Sequence, residues 1–137
     1  MKYYLDTAIW MDLHENRADK FRPLGDWAFE LFRMIRKNKD TVLYSNLVIE
    51  ELLNYYDKDE ADKIIKMAIE ERALEKVEIT GNHTREASIL CKTLKIPFGD
   101  CLHAILAKNS NALLVTRDKH FEQLRFLVEI KKPEELI

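Results

Sequence analysis

The sequence predicts an α/β protein: a three-layer αβα sandwich built on a central, mostly parallel sheet of about five strands. Three observations carry this. Five short runs, Lys2–Leu5, Thr41–Tyr44, Lys76–Ile79, Ala112–Thr116 and Phe126–Ile130, have β-type composition and are bounded by polar or turn residues. Helical periodicity fills the gaps between them, and such alternation implies right-handed crossovers to parallel neighbours with helices over both faces. No internal repeat, low-complexity tract or Gly/Ser-rich linker divides the 137 residues, so residues 1–137 are expected to form one domain.

Taken in order, the first run ends at Leu5 and leads into Asp6. After Pro23, read as a proline at the first helical position, Leu24, Trp27, Ala28, Leu31 and Ile35 recur at three- and four-residue spacing and mark one apolar helix face. Ser45 or Asn46 is placed to cap the next helix. Asp59 opens a charged amphipathic stretch through Ile64, Ile65, Ala68 and Ile69, and Asn82 or Thr84 opens another with Ala87, Leu90, Cys91 and Leu94 on one side. Pro97 breaks the chain before a last long helix, about Asp100 to Lys108. The helical stretch from Ser45 to Ala73 is long for the sheet. It either projects toward a partner as a helical pair or lies on the sheet, and the pattern alone favours the second.

Composition narrows the class. A chain 47% hydrophobic and 34% charged is globular, neither disordered nor membrane-spanning. Its longest apolar stretches, such as Ala112–Val115, fall far short of a bilayer, and a strand-like run follows the first residue with no leader-like segment, so a cytoplasmic protein is expected. Cys91 and Cys101 lack a CxxC spacing and lie in apolar helical patterns, which reads as buried thiols. A net charge of −2 removes the broad electrostatic footprint of a nucleic-acid binder, so such a partner would need a local basic rim and bound metal.

Four acids stand at the edges of apolar elements: Asp6, Glu51, Asp100 and Asp118. Asp6 and Asp118 end or follow β-type runs, where an open α/β sheet places functional groups. Singly, Asp100 and Asp118 fit ordinary helix caps. Together, crowded carboxylates raise one another's pKa unless a cation sits among them, and oxygen ligands favour Mg²⁺ or Mn²⁺. The four acids therefore point to a metal-dependent phosphodiesterase.

Their local contexts resemble the PIN-domain family, small Mg²⁺-dependent ribonucleases that include the VapC toxins of toxin–antitoxin pairs. Leu5-Asp6-Thr7 is similar to the family's opening strand motif, and Ser45-Asn46-Leu47-Val48-Ile49-Glu50-Glu51-Leu52 to the helix carrying the second acid, with Glu51 rather than Glu50 in the role. Asp100-Cys101-Leu102-His103-Ala104-Ile105-Leu106-Ala107 matches the third-acid helix. Leu114-Val115-Thr116-Arg117-Asp118-Lys119-His120-Phe121 matches the closing strand and turn. Ala8 departs from the pattern, since the family often has Asn or Ser after Asp-Thr.

The resemblance spans nearly the whole chain and implies a PIN-like fold, with RNA hydrolysis at one or two Mg²⁺ or Mn²⁺ ions held by Asp6, Glu51, Asp100 and Asp118. Within that set Asp6 and Asp100 are read as the inner pair, Glu51 and Asp118 as completing it or orienting the water, and Thr7, Ser45 and Thr116 as candidate hydroxyl donors behind the acids. The resemblance also implies a homodimer, and where a small antitoxin is encoded nearby the Ser45–Ala73 helices are its expected docking surface. Arg17, Arg117 and Lys119 are candidates to steer phosphate, and His14 and His120 to stand at the rim. His103, three residues after Asp100, has apolar neighbours that favour a packed, hydrogen-bonded ring over a metal ligand.

Competing folds lack their parts. A receiver domain needs an acidic pair after its first strand, haloacid-dehalogenase phosphatases need Asp-x-Asp where Ala8 stands, and no glycine-rich phosphate loop occurs. The alternative in a different class is a PIN-like module that binds RNA or protein without cutting.

Overall fold

Strand β1 (Lys2–Leu5) is apolar on both faces, and Tyr3, Tyr4 and Leu5 are all buried, as expected of a central strand with helices above and below. A computed structural model describes all residues 1–137. It runs on through α1 (Thr7–Glu15), α2 (Leu24–Lys37), β2 (Thr41–Ser45), α3 (Asn46–Leu52) and α4 (Lys58–Ala68). Next come β3 (Leu74–Val77), α5 (Gly81–Leu94), α6 (Phe98–Asn109), β4 (Leu113–Val115) and β5 (Ile130–Lys131). Short 3₁₀ turns occupy Glu71–Ala73, Lys119–Leu124 and Pro133–Glu135.

All five strands are parallel, in the order β3-β2-β1-β4-β5. Helix α1 packs on α2 and meets α3 and α4, while α5 packs on α6, giving helical layers on either side of the sheet. One cluster of 34 buried apolar residues fills the interior, with Trp10, Tyr4, Phe32 and Phe121 the largest fully buried side chains. The α/β sandwich is as expected from the sequence, with the sheet wholly rather than mostly parallel. The chain departs from β1 toward β2 and β3 on one side and returns as β4 and β5 on the other. An α/β sheet opens a ligand crevice at such a reversal, outside the carboxyl ends of the two central strands.

Several boundaries differ from the sequence reading. The third strand begins two residues earlier than expected, because pairing of Val42 with Leu74 through Ser45 with Val77 sets its register. The fifth shrinks to Ile130–Lys131, and Phe126–Val128 lie in a turn that buries Val128 while Phe126 stays exposed. Pro23 is the N-cap of α2 rather than its first helical residue. Asp57, not Asp59, caps α4 through the Glu60 amide, and Thr80, not Asn82 or Thr84, caps α5 in a reciprocal box with His83. Ser45 stands at the N-cap of α3 without capping it. The last helix extends to Phe98–Asn109.

Helix α3 packs on β2 and α4 on α1, burying Val48, Leu52, Ala61, Ile64 and Ile65, so α3 lies on the sheet as the pattern favoured while α4 covers α1, with Leu53, Tyr55 and Met67 exposed. Both cysteines are free thiols; Cys101 is buried and Cys91 half-buried. No helix is long and apolar enough to cross a membrane.

Candidate metal centre

Register brings the surroundings of the first and the last acid together. Leu5 pairs with Val115, so the residues just beyond, Asp6 and Thr116, emerge side by side, and the Asp6 amide donates to the Val115 carbonyl at 3.0 Å. Asp6 is the N-cap of α1, where its Oδ1 accepts from the Thr7 amide at 2.8 Å. Its Oδ2 accepts from Thr116 Oγ1 at 2.8 Å, and that same hydroxyl oxygen accepts from the Asp118 amide at 3.1 Å. One threonine therefore ties the acid after β1 to the loop after β4.

Glu51 arrives from α3. Its Oε1 accepts from Thr7 Oγ1 at 2.6 Å and lies 2.5 Å from His103 Nε2 on α6, while Glu50 is exposed. His103 has no solvent exposure, and its Nδ1 meets the Tyr4 hydroxyl at 2.8 Å, which in turn meets Ser45 Oγ at 2.7 Å. Asp100 opens α6 one turn before His103. Its Oδ2 lies 3.1 Å from His120 Nδ1, which is also 3.3 Å from Asp118 Oδ1. Asp118 caps the following 3₁₀ turn through the His120 amide.

The four sequence-predicted acids thus converge as two adjoining trios, Asp6–Glu51–His103 and Asp100–Asp118–His120, each with ligand atoms within 4.8 Å of one another. Of the three predicted hydroxyls, Thr7 and Thr116 touch carboxylates directly. Ser45 reaches Glu51 only through Tyr4 and His103.

Charge repulsion inside the pocket is visible in the acids' ionisation. Burial, then the neighbouring Asp118 and Asp6 carboxylates, push Asp100 up to about 6. Burial also holds Asp6 above the usual carboxylate range, opposed by His103 and the Thr116 hydrogen bond. For Glu51 burial acts upward too, but the His103 contact and the Thr7 hydroxyl outweigh it and leave the carboxyl below its ordinary value. Burial pulls the His103 ring down, and Glu51, Asp6 and Asp100 together more than reverse this. Asp6 and Asp100, raised by burial and neighbouring carboxylates, together with Glu51 and the exposed Asp118, offer oxygen atoms that fit a hard divalent cation.

The expected basic rim is only partly built. Arg117 turns away from the acids: its guanidinium pairs with Glu134 at 2.7–2.8 Å, stacks over Trp27 and approaches Asp12 at 3.9 Å. Arg17 pairs with Glu15 at 2.7 Å and lies 3.9 Å from Asp12. The Arg117 guanidinium is thus held in the interior by carboxylates of its own, whereas the Arg17 pair lies at the surface. Lys119 is exposed directly beside Asp118. His120 stands at the rim as expected, whereas His14 lies at the far end of α1, paired with Glu60 at 2.7 Å. Tyr4 is the residue of the pocket wall that the sequence reading left out. Its position next to Leu5-Asp6 and its polar head in a fully buried strand were the available signal.

Comparison with solved structures finds the same fold in three toxin–antitoxin assemblies. VapBC2 from Rickettsia felis, bound to a DNA fragment from its promoter, contains a chain 21% identical, with a TM-score of 0.71 over 96% of this chain and 98% of that one. A toxin–antitoxin complex from Klebsiella pneumoniae gives 17% identity and a TM-score of 0.68 over 96% and 97% of the two chains. VapBC-1 from nontypeable Haemophilus influenzae gives 18% and 0.68 over 98% and 99%. No curated protein matches the sequence. A family model described as PIN domain matches residues 3–127, and on that match the chain belongs to the PIN-domain family.

Proposed function

We propose that this PIN domain is an endoribonuclease dependent on Mg²⁺ or Mn²⁺, acting in the cytoplasm as the toxin of a toxin–antitoxin pair. The observation that carries the reading is the convergence of Asp6, Glu51, Asp100 and Asp118 beyond the carboxyl ends of β1 and β4. Asp6 and Asp100 are the inner carboxylates for one or two ions, and Glu51 and Asp118 complete the set or orient the attacking water. When bound, the cation supplies positive charge for the phosphate oxygens and makes water acidic enough to attack near neutral pH. Thr7 and Thr116 hold Glu51 and Asp6 in place, so little rearrangement is needed on binding. Lys119, exposed and next to Asp118 in sequence, is a cation of the predicted rim that meets the RNA backbone.

Cleavage of structured and unstructured RNA in Mg²⁺, Mn²⁺ or EDTA tests this. Asp6→Asn and Asp100→Asn are each expected to lower the rate at least about 100-fold, and EDTA to abolish it. Activity that survives both substitutions would reject the mechanism. A wild type inert on every RNA would favour the non-cleaving binding module.

The toxin–antitoxin part of the reading is supported by the assemblies that share the fold. The docking surface proposed for a small antitoxin is the α1–α4 face, where Trp10, Leu13, Ile64 and Met67 line an apolar groove of about 230 Å³. This refines the expected Ser45–Ala73 surface by adding α1. Co-expression with a small neighbouring gene product should give a stable complex that Met67→Glu weakens; an undiminished complex would place the partner elsewhere. A homodimer, the family expectation, would show as twice the chain mass in sedimentation.

A further inference from the structure

We propose that His103 is the positioning residue for Glu51, donating Nε2–H to its carboxylate and taking no cation itself, with Tyr4 and Ser45 holding the ring. The inference deepens the cation-pocket reading and rests on it for its effect on metal affinity.

His103 is fully buried, and both ring nitrogens are engaged by side chains: Nδ1 by the Tyr4 hydroxyl at 2.8 Å, Nε2 by Glu51 Oε1 at 2.5 Å. Two lone pairs cannot face each other at the second distance, so a proton lies between them. Thr7 Oγ1 donates to the same Oε1 at 2.6 Å, which marks that oxygen as the acceptor of both contacts and leaves the shared proton on nitrogen. Nε2 is then a donor in both the neutral and the charged ring and has no lone pair for a metal.

The rest of the chain of contacts supports the same assignment. In the neutral ring Nδ1 accepts from Tyr4, and Tyr4 accepts from Ser45 at 2.7 Å, so every proton along Ser45–Tyr4–His103–Glu51 has an acceptor. With Tyr4 donating to Ser45 instead, the proton of the buried Ser45 hydroxyl would need another acceptor, and that hydroxyl makes no second hydrogen bond, a costly state in the core. Tyr4 lies on β1, Ser45 at the end of β2 and His103 on α6, so three elements of the core fix the ring.

The consequence is local and specific. Glu51 Oε1 takes two donors, His103 and Thr7, and is saturated on the protein side. Its other oxygen, Oε2, faces Gly99, where even an added Cβ would stand 3.6 Å away, one residue before Asp100. Glu51 therefore presents Oε2 toward the start of α6, where Asp100 also opens into the pocket. His103 decides which oxygen the cation meets.

Long-range ¹H–¹⁵N correlation of the His103 ring, in metal-free protein and with Mg²⁺, tests the donor directly. Nε2 is expected to be protonated in both. Calorimetric Mn²⁺ titration provides the second readout. His103→Leu, which keeps the volume and removes the donor, should weaken Mn²⁺ binding about 10- to 100-fold, and His103→Gln, which keeps an amide donor, should recover part of the loss. Tyr4→Phe preserves shape and should give a smaller loss, without depending on the tolerance of position 103. An Nε2 that loses its proton when Mg²⁺ is added, or a folded His103→Leu that binds Mn²⁺ as tightly as wild type, would overturn the proposal. Wild-type protein that takes up no Mn²⁺ would overturn the cation reading, while the metal-free ring spectrum still decides the His103–Glu51 bond.

Discussion

At Asp100, burial and two neighbouring carboxylates lift the side chain to about 6, which makes this residue a source of instability when no cation is bound. Its folded pKa lies above the unfolded one, so between roughly pH 4 and pH 6 the folded chain holds the extra proton and stability falls as pH rises. Asp6 acts in the same direction. Glu51, held low by His103, acts oppositely, and its contribution is lost only as the pH falls through its depressed folded value. Asp100→Asn should therefore raise the melting temperature of metal-free protein above pH 6, flatten its pH dependence and remove the Mg²⁺-induced rise. A melting temperature unchanged at pH 7 with a normal Mg²⁺ response would contradict this.

The acids themselves were legible because each sits in a recognisable local run. Arg117 was misread for a physical reason that the sequence also contains. In the extended segment Thr116-Arg117-Asp118 successive side chains point to opposite faces, so if Thr116 and Asp118 face the pocket, Arg117 must leave it. The Tyr4–Ser45 bond was not legible, because it joins residues 41 positions apart, one of them inside a strand run and the other read as a helix cap.

Among the elements, the close approach of α1 and α2 depends on Gly25. A Cβ there would lie 2.5 Å from the Cα of Asn16, the left-handed residue that ends α1, and the Gly25 amide donates to the Arg17 carbonyl at 2.7 Å. Backbone cannot retreat as a flexible side chain would. Gly25→Ala should cost about 1–3 kcal/mol or more, read by urea unfolding; a change within a few tenths would mean that the two helices are not so closely packed.

Helix α1 matters to the pocket since Asp6 is its N-cap, so loosening its far end disturbs an element that carries an acid. The helices were legible from periodicity, whereas their starts were not, because several Asp, Thr and Asn residues near each start compete as caps. Asp57 and Thr80 won through hydrogen bonds that depend on backbone geometry. The fifth strand was overestimated for a similar reason. Apolar residues such as Leu127 and Val128 pack equally well from a turn, and composition does not separate that from a strand.

For the whole molecule, strand order is what gathers residues spread from position 6 to position 118. Parallel pairing of β1 with both β2 and β4 puts the ends of three strands next to one another, and α6 returns across the sheet to deliver Asp100 and His103. That assembly was legible as a fold class and through the family resemblance. Its division into two trios, each with a histidine, follows from side-chain packing that no spacing encodes. The net charge of −2 gives RNA no general attraction to this surface, so the central claim is that the acidic crevice becomes an RNA site only once a cation is held there. Anomalous diffraction from crystals grown with Mn²⁺ tests this most directly. The expected result is a peak between the Asp6 and Asp100 carboxylates, within reach of Glu51 Oε2 and Asp118, that Asp100→Asn removes; an ordered crevice with no peak at saturating Mn²⁺, or a peak away from these acids, would contradict it.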